Sequence, residues 1–239
     1  MNAAPRPTAG LFVTATDTGV GKTYVTALIA STLTRAGRLV GAYKPVCSGV
    51  ENDDEGRPRW VDADTLTAAI GGQFDSEHVC PLRFRAPLAP NVAARRENSE
   101  IDFERLCEGA QWWQGRVELL LIEGVGGLLC PLTEQHTIAD FAGTLKYPLL
   151  IVARLGLGTI NHTLLTVEAA RARGLAIAGI VLNEADPLAS LEGTEENPSE
   201  IERRAKIPVL GILRHGQSSL TRTDGAANSI DWATLTQCP

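Results

Sequence analysis

Short apolar runs alternate along this chain with segments whose apolar residues recur at helical spacing. Runs rich in leucine, isoleucine and valine are typical of strands buried on both faces of a sheet. Strands are therefore predicted from Leu11 onward and at residues 38–43, 118–122, 149–153, 176–182 and 209–213. The helical spacing predicts helices at residues 24–36, 101–113, 138–145 and 159–173, and a short helix at the acidic pair Asp62 and Asp64.

This alternation predicts an α/β fold, a single domain over residues 1–239 built on a parallel sheet with right-handed crossovers and helices on both faces. Residues 1–9 are predicted to be a flexible lead-in to the first strand, and the weak pattern over 215–239 supports no firm prediction. Pro81, Pro87 and Pro90 exclude a long helix within residues 80–98 and indicate an ordered loop or lid there.

The composition of the chain argues against several classes of function. The 239 residues carry 22 Lys+Arg against 28 Asp+Glu, and this net charge of −6 argues against nucleic acid as a partner. No apolar run approaches the roughly 20 residues that cross a bilayer, and the first residues do not resemble a signal peptide, so no membrane partner is expected. The five cysteines form no Cys-x-x-Cys pair, which favours a reduced, cytoplasmic protein.

The first predicted strand runs into a glycine-bearing turn, then Gly21, Lys22 and Thr23, and then a helix. This order is typical of a phosphate-binding loop, in which backbone N–H groups and the helix N-terminus face an anion. Lys22 would reach the β- and γ-phosphates, and the Thr23 hydroxyl would bind Mg²⁺. Thr16 stands where the generic pattern has its first glycine. The alternative is a strand–turn–helix unit without a ligand.

Charged and polar residues follow other predicted strands. In parallel sheets, ligands bind beyond the carboxyl ends of the strands, so we expect one crevice to collect the loop with Lys44, Glu123 and Asn183. Glu123 follows a buried apolar run, and we expect it to be a second Mg²⁺ ligand. The alternative is a carboxylate in a surface loop. Asp64 or Asp62 would complete the metal shell, although either would also suit a helix N-terminus.

Together these motifs resemble the dethiobiotin synthetase family of the P-loop NTPase superfamily. The matching segments lie in order over residues 11–213: Thr14-x-Thr16-Asp17-Thr18-x-Val20-Gly21-Lys22-Thr23, Tyr43-Lys44-Pro45-Val46-x-Ser48-Gly49, Glu123-Gly124-x-Gly126-Gly127, Leu157-Gly158-x-Ile160-Asn161-His162 and Asn183. Two departures are Ala15, where a glycine is common, and the segment 210–214, which lacks the Ile-Pro that usually follows and helps to hold the base.

The resemblance implies a ligase of biotin biosynthesis that closes the ureido ring of dethiobiotin. Its substrates would be 7,8-diaminononanoate, CO₂ or bicarbonate, and ATP as co-substrate, with Mg²⁺ as cofactor and with ADP and phosphate released. A carbamate and a carbamic-phosphoric anhydride would be the intermediates. The family is homodimeric, with the substrate site at the interface.

The same resemblance implies site residues. The catalytic residues would be Lys44 and Lys22, and the metal ligands Thr23, Asp64 and Glu123. Nucleotide would be bound by Gly19, Val20, Gly21, Lys22, Thr23, Tyr24, Asp64, Glu123, Gly124, Val125, Gly126, Asn183 and Glu184, with Asn183 reading adenine. The carbon substrate would be bound by Thr18, Lys44, Ser48, Gly158, Thr159 and Asn161.

Three rival interpretations share parts of this pattern. A partitioning-type ATPase switch carries a signature lysine two positions before Gly19, where this chain has Asp17. A cobyrinate-type amide synthase appends a glutamine-hydrolysing domain, for which no residues remain here. A catalytically idle binding module would bind nucleotide without releasing phosphate when given diamine and bicarbonate.

Overall fold

The computed structural model describes residues 8–186, 195–222 and 230–236. Its strands are β1 (Ala9–Ala15), β2 (Val40–Tyr43), β3 (Val46–Ser48), β4 (Glu51–Asn52), β5 (Pro58–Arg59), β6 (Leu82–Phe84), β7 (Leu119–Glu123), β8 (Leu149–Arg154), β9 (Ile177–Asn183) and β10 (Val209–Leu213). Its helices are α1 (Lys22–Arg35), α2 (Val61–Ala69), α3 (Ser76–Val79), α4 (Pro90–Arg96), α5 (Phe103–Gln111), α6 (Ile138–Leu145), α7 (Thr159–Arg171), α8 (Asn197–Ala205) and α9 (Trp232–Leu235).

A six-stranded sheet forms the centre, in the order β10-β9-β8-β1-β7-β2. Every pairing in it is parallel, which confirms the predicted α/β class. Two small additions lie outside it: β3 pairs with β6 in parallel, and β4 pairs with β5 antiparallel. In the described residues, no helix is long and apolar enough to cross a membrane.

Both faces of the central sheet are covered. On one face the Phe12 ring of β1 meets the Phe141 ring of α6 with centroids 6.0 Å apart. Ile151 and Ile180 on the same face cluster with Val167 of α7 and Ile201 of α8. Side chains alternate along a strand, and a right-handed crossover from β1 to β2 carries α1 across the opposite face. The strands are thus buried on both sides, as their apolar runs predicted.

Two boundaries differ from the predictions. β1 begins at Ala9, two residues before the predicted start at Leu11, and Thr8 before it is buried; residues 1–7 of the predicted lead-in lie outside the described residues. The loop predicted over residues 80–98 is wrong in part, because it contains β6 and α4. Pro90 lies in the first turn of α4, where the missing N–H would have had no partner within the helix.

The strand order sets the position of the candidate site. β7 lies between β1 and β2, and in this register Glu123 aligns with Val13, while Tyr43 aligns with Ile122. The carboxyl ends of these three strands therefore meet at one edge. There the loop after β1, Glu123 at the end of β7 and Lys44 just after β2 come together.

Candidate active site

The loop after β1 has the geometry of an anion cradle. Gly19 and Gly21 adopt positive φ angles of 73° and 88°, and α1 begins at Lys22 directly afterwards. Among the described residues, none accepts a hydrogen bond from the backbone N–H groups of Gly21 to Thr23. Unpaired N–H groups at a helix N-terminus are the groups that bind phosphate in P-loops.

A buried ion cluster lies beside this loop. The Lys44 ammonium is 2.6 Å from Glu123 Oε1 and 2.6 Å from Asp62 Oδ2. The Thr23 hydroxyl donates to the same Glu123 Oε1 at 2.7 Å. Glu123 is fully buried and Lys44 is 3% exposed, so both charges have left bulk water. Such burial is tolerated only when the charges are paired and hydrogen-bonded.

The protonation states follow from this pairing. Burial alone would lower the pKa of Lys44, but the Glu123 and Asp62 carboxylates outweigh it and raise that pKa above its ordinary value. Burial opposes ionisation of Asp62 as well, yet the Lys44 ammonium holds the pKa of Asp62 below its usual range. Burial lowers the pKa of Lys22, and repulsion from Lys44 adds to this effect. Lys44 is therefore a fixed cation at neutral pH.

The oxygen atoms around Lys44 suit a hard divalent cation. Glu123 Oε2 is buried without a hydrogen-bond partner among the described residues, and unsatisfied carboxylate oxygens of this kind are costly. Thr23, Asp62 and Glu123 offer a hydroxyl and two carboxylates, which are the donors that Mg²⁺ prefers. No group of three or more His, Cys, Asp or Glu residues that could hold a metal occurs in the described chain. Mg²⁺ commonly binds through one or two carboxylates together with nucleotide phosphates, and this set of protein oxygens would suit such a site.

Asp64, the predicted metal ligand, lies elsewhere. Its Oδ2 accepts from Arg59 Nε at 2.7 Å, and both side chains are about half exposed. Residues two positions apart on an α-helix point to nearly opposite sides, so α2 can direct only one of the two aspartates toward Lys44. That residue is Asp62. In this structure, Asp62 therefore lies beside Lys44, whereas Asp64 pairs with Arg59.

Asn183 connects the end of β9 to the phosphate-binding loop. Its Nδ2 donates to the Val20 carbonyl at 2.8 Å in a buried contact. A Cβ built on Gly21 would lie 2.1 Å from that Nδ2. Beyond Asn183 a cavity of about 390 Å³ opens between the loop and the segment after β10. Tyr24 and Glu184, two predicted nucleotide-binding residues, also line this cavity.

The glycines after β7 bring backbone close to the loop. A Cβ on Gly124 would lie 2.9 Å from Ile138 Cγ2, and Gly126 has a positive φ of 63°. A Cβ on Gly126 would lie 3.6 Å from Thr18 Oγ1, so this turn faces the loop directly. Val125 between them is half-buried.

The remaining predicted substrate residues divide between two places. Thr18 lines a cleft of about 390 Å³ together with Gly126 and His162 of α7. Gly158 is the N-cap of that helix, and Thr159 follows it, buried and without a hydrogen-bond partner for Oγ1 in the described chain. Asn161, two residues after Thr159, is exposed. Ser48 ends β3, on the Lys44 side, in register with Phe84 of β6.

The fold and the loop define a P-loop nucleotide-binding protein. A family model described as "AAA domain" matches residues 9–220. An "ATP-dependent dethiobiotin synthetase BioD" of Anaeromyxobacter sp. (strain Fw109-5) is 48% identical over 210 residues, covering 86% of this chain and 90% of that protein. One of the same name from Bacillus cereus (strain G9842) is 38% identical over 216 residues, covering 90% and 87%. The chain belongs to the ATP-dependent dethiobiotin synthetase family, which confirms the resemblance that the motifs carry.

Two solved structures are similar to this chain at lower sequence identity. FtsY from Mycoplasma mycoides matches with a TM-score of 0.49 and 14% identity, over 98% of this chain and 68% of that one. The cell division ATPase MinD of Pyrococcus furiosus matches with a TM-score of 0.47 and 18% identity, over 85% and 82%.

Some groups at the site escaped sequence reasoning. The hydrogen bond from Asn183 to the Val20 carbonyl joins residues that are far apart in sequence, and no local sequence pattern predicts it. Arg214 and His215 line the cavity beyond Asn183, and the sequence predicted no site role for either residue. The sequence placed Asp62 at the start of a helix, but it did not show toward which side of that helix the carboxylate points.

The two loop glycines provide a matched pair of substitutions. Gly19→Ala and Gly21→Ala each place a side chain at a positive φ, which costs about 1 kcal/mol. Nothing lies within 4 Å of a Cβ at Gly19, whereas a Cβ at Gly21 displaces the Asn183 amide. We expect Gly21→Ala to lose about 1–2 kcal/mol more than Gly19→Ala in the free energy of unfolding measured in urea. Equal losses would show that the contact between Asn183 and the loop contributes nothing to stability.

Proposed function

We propose that this protein closes the ureido ring of dethiobiotin from 7,8-diaminononanoate, CO₂ and ATP, releasing ADP and phosphate. The observation that carries the proposal is the buried Lys44 ammonium, held by Glu123 and Asp62 beside the N-terminus of α1. A fixed cation at this position suits a reaction in which negative charge moves between a triphosphate and a carboxylate-like acceptor. Membership of the dethiobiotin synthetase family supports the choice of substrates.

The chemistry proceeds in three steps. One substrate amine attacks CO₂ and forms a carbamate, losing a proton. A carbamate oxygen then attacks the γ-phosphorus of ATP, and ADP leaves, which gives a carbamic-phosphoric anhydride. The second amine attacks the carbonyl carbon of this anhydride, phosphate leaves, and the ring closes. Phosphorylation is needed because a carbamate oxygen is otherwise a poor leaving group.

The protein contributes positioning and charge. The N–H groups of the loop and Lys22 hold the β- and γ-phosphates, and Lys44 stabilises the carbamate and the γ-phosphoryl group as negative charge redistributes. The low pKa of Lys22 that follows from burial increases toward its ordinary value once triphosphate binds, because anions favour the ammonium form. Both lysines are thus proposed as catalytic residues.

Thr23, Asp62 and Glu123 are proposed to hold Mg²⁺, with Asp62 taking the role first expected of Asp64. The unpartnered, buried Glu123 Oε2 and the nearness of Asp62 to Lys44 support this set. When bound, the ion would neutralise charge on the phosphates. Gly19, Val20, Gly124, Val125 and Gly126 bring backbone close to the nucleotide, and Tyr24, Asn183 and Glu184 border the base.

The carbon substrate is proposed to lie between Lys44 and α7, and the enzyme to act as a homodimer with this site at the interface. Ser48 and Thr18 would contact its reacting end. Gly158, Thr159 and Asn161 would present the N-terminus of α7 to the carboxylate. Exposed leucines support a partner subunit here, since Leu129 and Leu165 on the cleft are 48% and 59% exposed and Leu157 is fully exposed. Localisation in the cytoplasm is proposed because Cys47, Cys80, Cys107 and Cys130 are free thiols.

The direct test supplies the purified protein with Mg-ATP, bicarbonate and 7,8-diaminononanoate and follows phosphate and dethiobiotin together. We expect equal amounts of the two products, because one phosphate leaves for each ring that closes. Phosphate release that does not depend on the diamine would favour an ATPase switch. Nucleotide binding with neither product, in well-folded protein, would favour the idle binding module.

Asp62→Asn and Asp64→Asn test the metal set with a matched pair on one helix. Asp62→Asn removes the negative charge of a proposed ligand and of the ion pair with Lys44, so we expect at least a roughly tenfold rise in the Mg²⁺ concentration needed for half-maximal rate. Asp64→Asn removes only a half-exposed pair with Arg59, and we expect little change. The measurement is the initial rate of dethiobiotin formation over a range of Mg²⁺ concentrations. A larger effect for Asp64→Asn would return the role to Asp64.

A further inference from the structure

Cys47 and Cys80 lie together in a small buried cluster. Cys47 is on β3 and is 3% exposed, and Cys80 follows α3 and is fully buried. With Ala63 they form a cluster of their own, apart from the main core, and Trp60 packs against it. Both thiols are free. Two free thiols packed against each other are the two halves from which a disulfide forms.

The two side chains already interact. A hydrogen bond between them lowers the pKa of Cys47 and, together with burial, raises the pKa of Cys80. A thiol is a weak donor and its sulfur a weak acceptor, so such a bond forms only when the two sulfur atoms face each other. The pair is therefore oriented for reaction with each other before any oxidant arrives.

The other cysteines in the described part of the chain lack such a partner. Cys107 lies on α5 in the main core, 3% exposed, and burial raises its pKa to about 11. Cys130 lies in the turn after β7, where burial also raises the pKa of its thiol. Within the described residues, neither interacts with another thiol. Cys107 thus has the burial of Cys47 without its neighbour, which makes it a natural control.

The pair flanks the segment that carries Lys44. Cys47 is three residues after Lys44, on the strand that follows it. Cys80 directly follows Val79, whose carbonyl accepts the backbone N–H of Lys44 at 2.7 Å. β3 also pairs in parallel with β6, with Cys47 opposite Arg83. A change in the distance between the two cysteines therefore shifts the segments that hold the backbone of Lys44.

We propose that Cys47 and Cys80 form a reversible disulfide that slows turnover by displacing Lys44. The oxidant is a peroxide, because a small molecule suits a site that is almost closed to solvent. One thiol attacks hydrogen peroxide, which gives a sulfenic acid and releases water. The other thiol attacks that sulfur, the S–S bond forms, and a second water leaves. The two thiols lose two electrons and two protons, the peroxide is reduced to water, and a dithiol reductant reverses the change.

The effect on turnover follows from geometry. An S–S bond is shorter than any contact between separate thiols, so its formation draws β3 toward the end of α3. Lys44 depends on contacts of 2.6 Å with Glu123 and Asp62, and a displacement of about 1 Å at a reacting site can cost about 100-fold in rate. The bond itself does not depend on the proposed function, whereas its effect on turnover rests on the proposed role of Lys44.

Peptide mapping tests whether the bond forms in the folded wild-type protein. The protein is treated with hydrogen peroxide, free thiols are alkylated in denaturant, and tryptic peptides are identified by mass spectrometry. Trypsin cleaves after Arg59, so the two cysteines fall in different peptides. We expect these peptides to be linked and to separate with dithiothreitol, and we expect Cys107 to be alkylated. Absence of this link in protein that circular dichroism shows to be folded overturns the inference.

Rates of dethiobiotin formation test the effect on Lys44. After peroxide treatment we expect kcat to fall at least about tenfold, the KM for ATP to stay within a few-fold, and dithiothreitol to restore the rate. Cys47→Ser and Cys80→Ser are expected to lose this reversible inhibition, whereas Cys107→Ser, which changes an equally buried thiol, is expected to keep it. An unchanged kcat in protein that carries the link, or equal inhibition of all three variants, overturns the effect on turnover.

The two readouts separate this inference from the proposed reaction. Protein that forms the link but makes no dethiobiotin, even when fully reduced, would refute the reaction and support the disulfide. Reduced protein that makes dethiobiotin and forms no link with peroxide would refute the disulfide alone. The mapping uses the wild-type chain, so it decides the question even where a serine variant fails to fold.

Discussion

The arrangement of the site depends on one buried ammonium group. Lys44 is out of contact with bulk water, and its charge is tolerated only because Glu123 and Asp62 each approach within 2.6 Å. These three residues come from the ends of β2 and β7 and from the start of α2, so their meeting fixes those elements relative to one another. Thr23 joins the cluster through Glu123 and connects it to α1. A cation held in this way needs no reorganisation when phosphate binds, which is the electrostatic advantage of a preorganised site.

The other side of the phosphate-binding loop is fixed by Asn183. Its bond to the Val20 carbonyl, and its closeness to Gly21, join the phosphate end of the site to the cavity for the base. Lys44 and Asn183 thus support the loop from opposite sides of β1, one through β7 and the other through β8 and β9. In this account, the chemistry of phosphoryl transfer lies on the β2 side and recognition of the nucleotide lies on the β9 side.

Much of the fold and part of the candidate site could be predicted from the sequence, for physical reasons. The buried strands appear as continuous apolar runs, and the rule that ligands lie beyond their carboxyl ends correctly brought Lys44, Glu123 and Asn183 to one edge. The choice between Asp62 and Asp64 was not accessible, because it depends on the rotation of α2 about its axis. Residues 80–98 were predicted to form a loop because proline interrupts the interior of a helix. Pro90 instead lies in the first turn of α4, where proline is well tolerated. The bond between Asn183 and Val20 joins the end of β9 to the loop after β1, and no local sequence pattern encodes such a contact.

Lys44 is proposed to act on the reacting groups and not to bind the nucleotide. Lys44→Ala tests it most directly, with affinity for Mg-ADP measured by calorimetry and dethiobiotin formation measured on the same folded sample. We expect an affinity within a few-fold of wild type and a loss of turnover of at least about 100-fold, the scale found when one preorganised charge-stabilising group is removed. Turnover close to the wild-type rate would contradict it and would leave Lys44 as the structural partner of two buried carboxylates.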